Sequence, residues 1–186
     1  MNTDDHFLWS QIVSHNDEKS FDRLFNKYYS GLIQYSQTLL PYPADEAEDI
    51  ITEVFFKIWQ QRHSIIIHTS MASYLYISVK NGIHDYHRRS RGNSFESVDY
   101  LLNDADDEYN RPDQRLSYKE LDAEIAHLIS RLPERTQLVF RMSRHDHLRY
   151  EEIAIVLQIS VNSVKTHMYR AIKFLKDSYR ASDASR

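Results

Sequence analysis

The chain has 186 residues, 41% of them hydrophobic, with a formal net charge of −4 and no cysteine. That length can bury one medium core or two small ones, and the absence of cysteine excludes a disulfide framework and thiolate metal ligation. No apolar run is long enough to span a bilayer, and the acidic start Asp4-Asp5 is unlike the basic leader of a signal peptide, so a soluble cytoplasmic protein without direct membrane insertion is expected.

Only three glycines and four prolines occur, and the periodic segments have helical spacing, which predicts an all-α protein. The first periodic segment runs from Asp17 to Leu40, with Phe21, Leu24, Phe25, Tyr28, Leu32, Tyr35 and Leu39 along it. Asp17 is placed to cap it, and Pro41 and Pro43 to end it. A second helix is expected from about Ala44 to Gln61. Its buried stripe is Ala47, Ile50, Ile51, Val54, Phe55 and Ile58, and its opposite face carries Asp49, Glu53, Phe56, Lys57 and Gln60. The run Ile65-Ile66-Ile67 reads as strand-like but has no evident partner. A third helix follows from about Ser70 to Arg89, with Leu75, Val79, Ile83 and Tyr86 as its core stripe.

Periodicity fails from Arg91 to about Arg115, where Gly92-Asn93-Ser94, an acidic stretch at Asn103 to Glu108 and Pro112 predict a flexible linker. Helical pattern resumes with Leu116, Leu121, Ile125, Leu128, Ile129 and Leu132, and Pro133 opens a further helix through Leu138, Val139 and Met142. From Leu148 to Met168 the apolar positions Ile153, Ala154 and Leu157, then Ile159, then Val164 and Met168 form two helical stripes interrupted once near Gln158. That is the pattern of a helix-turn-helix, whose second helix reads the DNA major groove from its N-terminal end. Ser160 is placed to cap this second helix. The expected organisation is two small helical domains, residues 1–91 and 116–186, joined by a linker at 92–115.

A net negative charge is unusual for a DNA binder, because phosphate neutralisation supplies most non-specific affinity. The distribution accounts for it. Acids dominate the first sixty residues, whereas bases collect at Lys80, Arg88, Arg89 and Arg91 and again at Arg141, Arg144, Arg149, Lys165, Arg170, Lys173, Lys176 and Arg180. Such a chain can touch DNA at two places and calls for a larger partner with affinity of its own. Neither His84 with His87 nor His145-Asp146-His147 has the third and fourth ligands a zinc site needs, so no metal or other cofactor is expected. No nucleophile–base pair or phosphate-cradling glycine loop stands out, so an enzyme is not expected.

Three stretches in this order resemble an extracytoplasmic-function sigma factor of the sigma-70 family. Ala47 to Trp59 is similar to the family's acidic-then-aromatic helix that docks on RNA polymerase, and Ala72 to Asn81 is similar to its promoter-melting helix. Leu132-Pro133-Glu134-Arg135, Tyr150 to Ala154 and Ser160 to Lys165 are similar to its helix-turn-helix domain. The chain departs from the family at Gln158, where a glycine is usual in the turn, and at Asp146 and His147, near where another glycine often precedes the Tyr-Glu-Glu run. A residue other than glycine at positive φ carries a conformational cost.

The resemblance implies partners and roles. Core RNA polymerase would dock on Asp49, Thr52, Glu53 and Phe56. The minus-ten element of promoter DNA would meet Tyr74, Tyr76, Lys80, Asn81, Arg88 and Arg89, with the aromatic rings wedging or stacking, Asn81 bonding a flipped base and the cations tracking phosphates. The minus-thirty-five element would meet Asn162, Ser163, Lys165, Thr166, His167 and Arg170, with Val164, Met168, Ala171 and Leu175 packed inward. An anti-sigma factor is a further implied partner, and Asp104, Asp106, Asp107 and Glu108 of the linker would pass near the polymerase channel. Each site has an ordinary competing reading: Tyr74, Tyr76 and Phe56 as core aromatics, and Asn81 as a solvated polar position. At the level of the whole chain, the alternatives are a stand-alone helix-turn-helix regulator and an interaction protein that never touches DNA.

Overall fold

A computed structural model describes residues 3–40, 45–90 and 127–183. Among these residues all repetitive structure is helical. The helices are α1 (Thr3–His15), α2 (Glu18–Gln37), α3 (Asp45–Gln61), α4 (Met71–Ser90), α5 (Glu134–Arg144), α6 (Tyr150–Leu157) and α7 (Val161–Asp183). They fall into two compact units, α1 to α4 and α5 to α7. The linker expected at residues 92–115, with its four acidic residues, lies outside the described residues, as does most of the helix expected from Leu116 onward.

In the first unit, α2 begins where its sequence calls for it. The Asp17 carboxylate accepts the Lys19 N–H at 3.2 Å and the Ser20 hydroxyl at 2.6 Å, satisfying one of the unpaired donors of the first turn. The helix ends at Gln37, three residues before the expected Leu40. The Leu39 and Leu40 N–H groups both turn back to the Ser36 carbonyl, at 3.0 and 2.9 Å, which closes the last turn early. Along its length Leu24, Tyr28, Leu32 and Tyr35 are buried. Phe21 and Phe25 meet Phe55 of α3 edge-on, with centroids 5.8 and 4.8 Å away, and Phe21 also meets Trp59 at 5.0 Å. Such pairs add about 0.5–1.5 kcal/mol each beyond their buried area.

The N-terminal helix α1 has no counterpart in the sequence expectations. It buries Leu8 and Ile12 and is fastened to α2 by a polar bond set inside the packing. Asp5, 2% exposed, accepts the Lys27 ammonium at 2.6 Å and the Tyr28 hydroxyl at 2.7 Å. Burial, followed by this bond to Asp5, drives the Tyr28 hydroxyl far above the usual phenol range, so it remains a donor.

The α3 stripe Ala47, Ile50, Ile51, Val54, Phe55 and Ile58 is buried throughout, as expected from its spacing. On α4, Leu75, Val79 and Ile83 are buried, whereas Tyr86 is half-buried and hydrogen-bonded to Glu46. Ser70 caps α4 by accepting the Ser73 N–H at 3.1 Å. Ile65-Ile66-Ile67 form no strand. The chain there is irregular, Ile66 is 73% exposed, and the described residues offer no neighbouring strand to pair its backbone.

In the second unit α5 and α6 both pack on α7. Pro133 opens α5, with Glu134 in its first turn and Arg141 and Arg144 in its last, each sign matching the helix dipole. At the start of α6 the Arg149 N–H donates to the buried Glu152 carboxylate at 2.8 Å. The turn to α7 runs through Gln158 in the left-handed region, φ 54° and ψ 43°, with the Ile159 N–H closing on the Ala154 carbonyl at 3.1 Å. His147 likewise has φ 57°. Both departures from the family's glycine pattern therefore coincide with a positive φ or adjoin one.

An L-residue held left-handed costs about 1–2 kcal/mol, part of which glycine returns through its larger unfolded-state entropy. Gln158→Gly is expected to stabilise the protein by about 1 kcal/mol, read as a higher urea midpoint at unchanged m-value. A lower midpoint would contradict this account of the turn.

Candidate nucleic-acid interface and docking face

The outward face of α3 is built by default, because the opposite stripe is fully used in the core. Asp49, Thr52, Glu53 and Phe56 recur at helical spacing and are all exposed, and Phe56 is 57% exposed. A phenylalanine in water beside carboxylates is suited to an apolar partner contact with a basic rim. Glu53 is held by Lys57 at 2.7 Å, and Arg89 of α4 lies 3.8 Å from its other oxygen. Those cations keep its carboxyl below the usual range, Lys57 contributing most.

On α4, Asn81 and Arg88 are exposed and Tyr74 is half-exposed, so the three share an outward face at seven-residue spacing. Lys80 flanks that face and is partly buried, which lowers its affinity for a proton. Arg88 is bound to Asp85 at 2.9 Å, and the Arg89 Nε donates to the Asp85 carbonyl at 3.4 Å. The face thus offers a ring, an amide and two guanidinium groups already oriented by acceptors on α3 and α4. Tyr76 is not among them. Its side chain is fully buried and packs edge-on against Tyr35 at 5.4 Å, so the expectation of a base-stacking Tyr76 gives way to its reading as a core residue.

On α7, Val164, Met168 and Ala171 are buried and Leu175 is half-buried, which turns Asn162, Lys165, Thr166 and Arg170 outward. Ser160 caps the helix, accepting the Ser163 N–H at 3.0 Å, and its hydroxyl lies 3.0 Å from that of Ser163. Ser163 is accordingly half-exposed and partly committed to the cap. Thr166 donates to the Asn162 carbonyl at 3.0 Å and presents its remaining lone pairs outward.

His167 departs from the expectation. It is 9% exposed, and its Nδ1 lies 2.9 Å from the hydroxyl of Thr136 on α5, itself buried. The cause is angular, since position 167 falls between the inward stripe and the groove-facing residues and a polar partner awaits it on α5. In its place Tyr169, 67% exposed, stands on the outward face one turn beyond Lys165. Sequence reasoning passed over Tyr169. A helical projection from Asn162 through Lys165 and Lys173 puts it near the centre of that face.

These faces occur in an ordered pair of units, and each unit has a family counterpart. The family model for Sigma-70 region 2 matches residues 24–92, and that for Sigma-70, region 4 matches residues 122–175, together about two thirds of the chain. The chain belongs to the sigma-70 family. It is a sigma factor of the extracytoplasmic-function type, which binds core RNA polymerase and directs promoter-specific initiation. The region 2 match spans α2 to α4 and leaves α1 outside it, while the region 4 match takes in α5, α6 and the first part of α7. The chain is 25% identical to the RNA polymerase sigma-H factor of Pseudomonas aeruginosa over 167 residues, which is 86% of each protein. It is 24% identical to the ECF RNA polymerase sigma-E factor of Escherichia coli K12 over 166 residues, again 86% of each. A solved structure of the sigma factor RpoE with the anti-sigma factor NepR from Bartonella quintana aligns with a TM-score of 0.45 at 18% identity, covering 87% of this chain and 98% of that one.

For the sigma factor's second unit, the Thr136–His167 bond makes a stability prediction. His167→Ala removes a buried bond and side chain and is expected to destabilise the protein by about 1–3 kcal/mol in urea denaturation. Stability equal to that of the parent would return His167 to the groove-facing set.

Proposed function

We propose that residues 1–91 form the polymerase-docking and minus-ten unit of this sigma factor, residues 116–186 the minus-thirty-five unit, and residues 92–115 the connection between them. The observation that carries the assignment is the division of α3 and α4, whose outward faces differ in chemistry. An acidic face with one exposed phenylalanine suits a basic protein surface, and a ring, an amide and cations suit an unstacked DNA strand. Asp49, Thr52, Glu53 and Phe56 take the polymerase. Tyr74, Lys80, Asn81, Arg88 and Arg89 take the minus-ten strand, with Asn81 bonding a flipped base and the cations on phosphates. Asn162, Lys165, Thr166, Arg170 and Tyr169 enter the major groove at the minus-thirty-five element, and Ser163 and the α7 N-terminus approach a phosphate.

The chain performs no covalent chemistry in this reading, since opening a promoter requires capture of bases and not bond cleavage. Among the described residues no helix is long and apolar enough to cross a membrane, and we assign the protein to the cytoplasm, where the polymerase works. An anti-sigma factor that covers the Phe56 face would silence it by competition. A stand-alone regulator would not need a region 2 unit, and the region 2 match disfavours that alternative.

Run-off transcription with purified core enzyme on a cognate promoter tests the reading. Asn81→Ala is expected to lower open-complex formation about tenfold with core-enzyme affinity kept, whereas Phe56→Ala is expected to weaken core-enzyme binding about tenfold. Failure of the parent chain to support initiation, or parallel loss of both properties in Asn81→Ala, would overturn it.

A further inference from the structure

The α4 face carries one titratable group that the assignments above leave unused. His84 is exposed, one turn beyond Asn81 and one turn before Arg88, and it makes no hydrogen bond or ion pair among the described residues. Lys80 stands one turn before it and His87 one turn after it on the same helix. An imidazole in this position can reach a phosphate that passes from Asn81 toward Arg88. We propose that His84 is a further phosphate contact of the minus-ten strand, one that binds as the imidazolium.

The proposal rests on the reading of α4 as a strand-binding face. In the free protein His84 gives up its proton more readily than an ordinary histidine, first through partial burial and then through the charges of Lys80 and His87, with Asp85 opposing them. Asp85 is itself taken by Arg88. From α3, Glu46 is engaged with Tyr86 and Glu53 with Lys57 and Arg89, while α2 meets α4 through Tyr35 on Tyr76. Asp85 offsets the cations only in part, and the other acids are engaged elsewhere, so the free ring is not held charged. A phosphodiester would hold it so, and docking of the strand draws a proton onto His84. Affinity then rises as pH falls through the histidine range, and a rise of one unit in the ring's pKa on binding corresponds to at most about a tenfold gain, reached at the acid end of that range.

The test uses the holoenzyme on a fork template whose single strand carries the minus-ten sequence, with affinity measured against salt at pH 6 and pH 8. At pH 6 the parent is expected to bind severalfold more tightly than His84→Gln, with a log–log salt slope steeper by up to about 0.7, the value of one single-strand phosphate contact. At pH 8 the two should coincide, and His84→Lys should show the steeper slope at both pH values. Equal slopes for the parent and His84→Gln at pH 6, with Arg88→Ala still weakening binding, would overturn the role of His84 and leave the α4 reading standing. No effect from either His84→Gln or Arg88→Ala would overturn the α4 reading itself.

Discussion

At Gly82, α4 has no side chain to hold α3 away. A Cβ added there would lie 3.0 Å from Ile50 Cγ2 and 3.2 Å from Val54 Cγ2, tighter than nine in ten Cβ contacts in proteins. The absence of that carbon lets α4 settle against the buried Ile50 and Val54 of α3. A glycine inside a helix costs roughly 1 kcal/mol relative to alanine, so its use here implies a packing demand that outweighs propensity. With Ile50 and Val54 turned inward, the opposite faces are left to solvent. Asp49, Thr52, Glu53 and Phe56 point outward from one helix and Asn81, His84 and Arg88 from the other. The faces proposed for protein docking and for strand binding thus sit on adjacent helices, bridged on the surface where Glu53 approaches Arg89. Exposed pairs of that kind contribute little to stability, so orientation of the guanidinium is their more consequential effect.

The second unit solves a related problem with a polar contact. Its recognition helix is clamped through Val164, Met168 and Ala171, all apolar and directionless, and through the Thr136–His167 bond, which is directional. A single buried bond of this sort fixes the rotation of α7 about its axis more sharply than apolar packing does. The positive φ at Gln158 belongs to the same economy, because it sets the angle between α6 and α7 at the expense of local strain.

Much of this was legible in the sequence. The α3 stripe emerged residue for residue, since six buried positions at helical spacing leave no other solution, and the Asp17 and Ser160 caps followed from residue type and place. Three features resisted. The α1 helix is short and mostly polar, and its anchor is a buried aspartate paired with Lys27 and Tyr28 from another helix, a contact no local pattern announces. The spacing of Asp5, Leu8 and Ile12 was the available signal. The family resemblance offered Tyr76 to the minus-ten strand, and subtraction of the inward stripe left His167 with the groove-facing residues. Side-chain burial is decided by partners, and Tyr35 and Thr136 lie many residues away. Tyr169 was missed for the converse reason, as an aromatic beside an apolar stripe ordinarily enters the core.

A chain with net charge −4 that carries two cationic faces is poorly equipped to hold DNA alone and well equipped to do so once a polymerase occupies its acidic surface. The central claim is that α4 and α7 engage two separate promoter elements and do so in the company of core polymerase. Photo-crosslinkable residues placed at Asn81 and at Thr166 in the full chain, mixed with promoter DNA with and without core enzyme, test it directly. The account predicts crosslinks from Asn81 to the minus-ten strand and from Thr166 to the minus-thirty-five duplex, both dependent on core enzyme. Crosslinks of equal yield without core enzyme, or both residues reaching the same element, would contradict it.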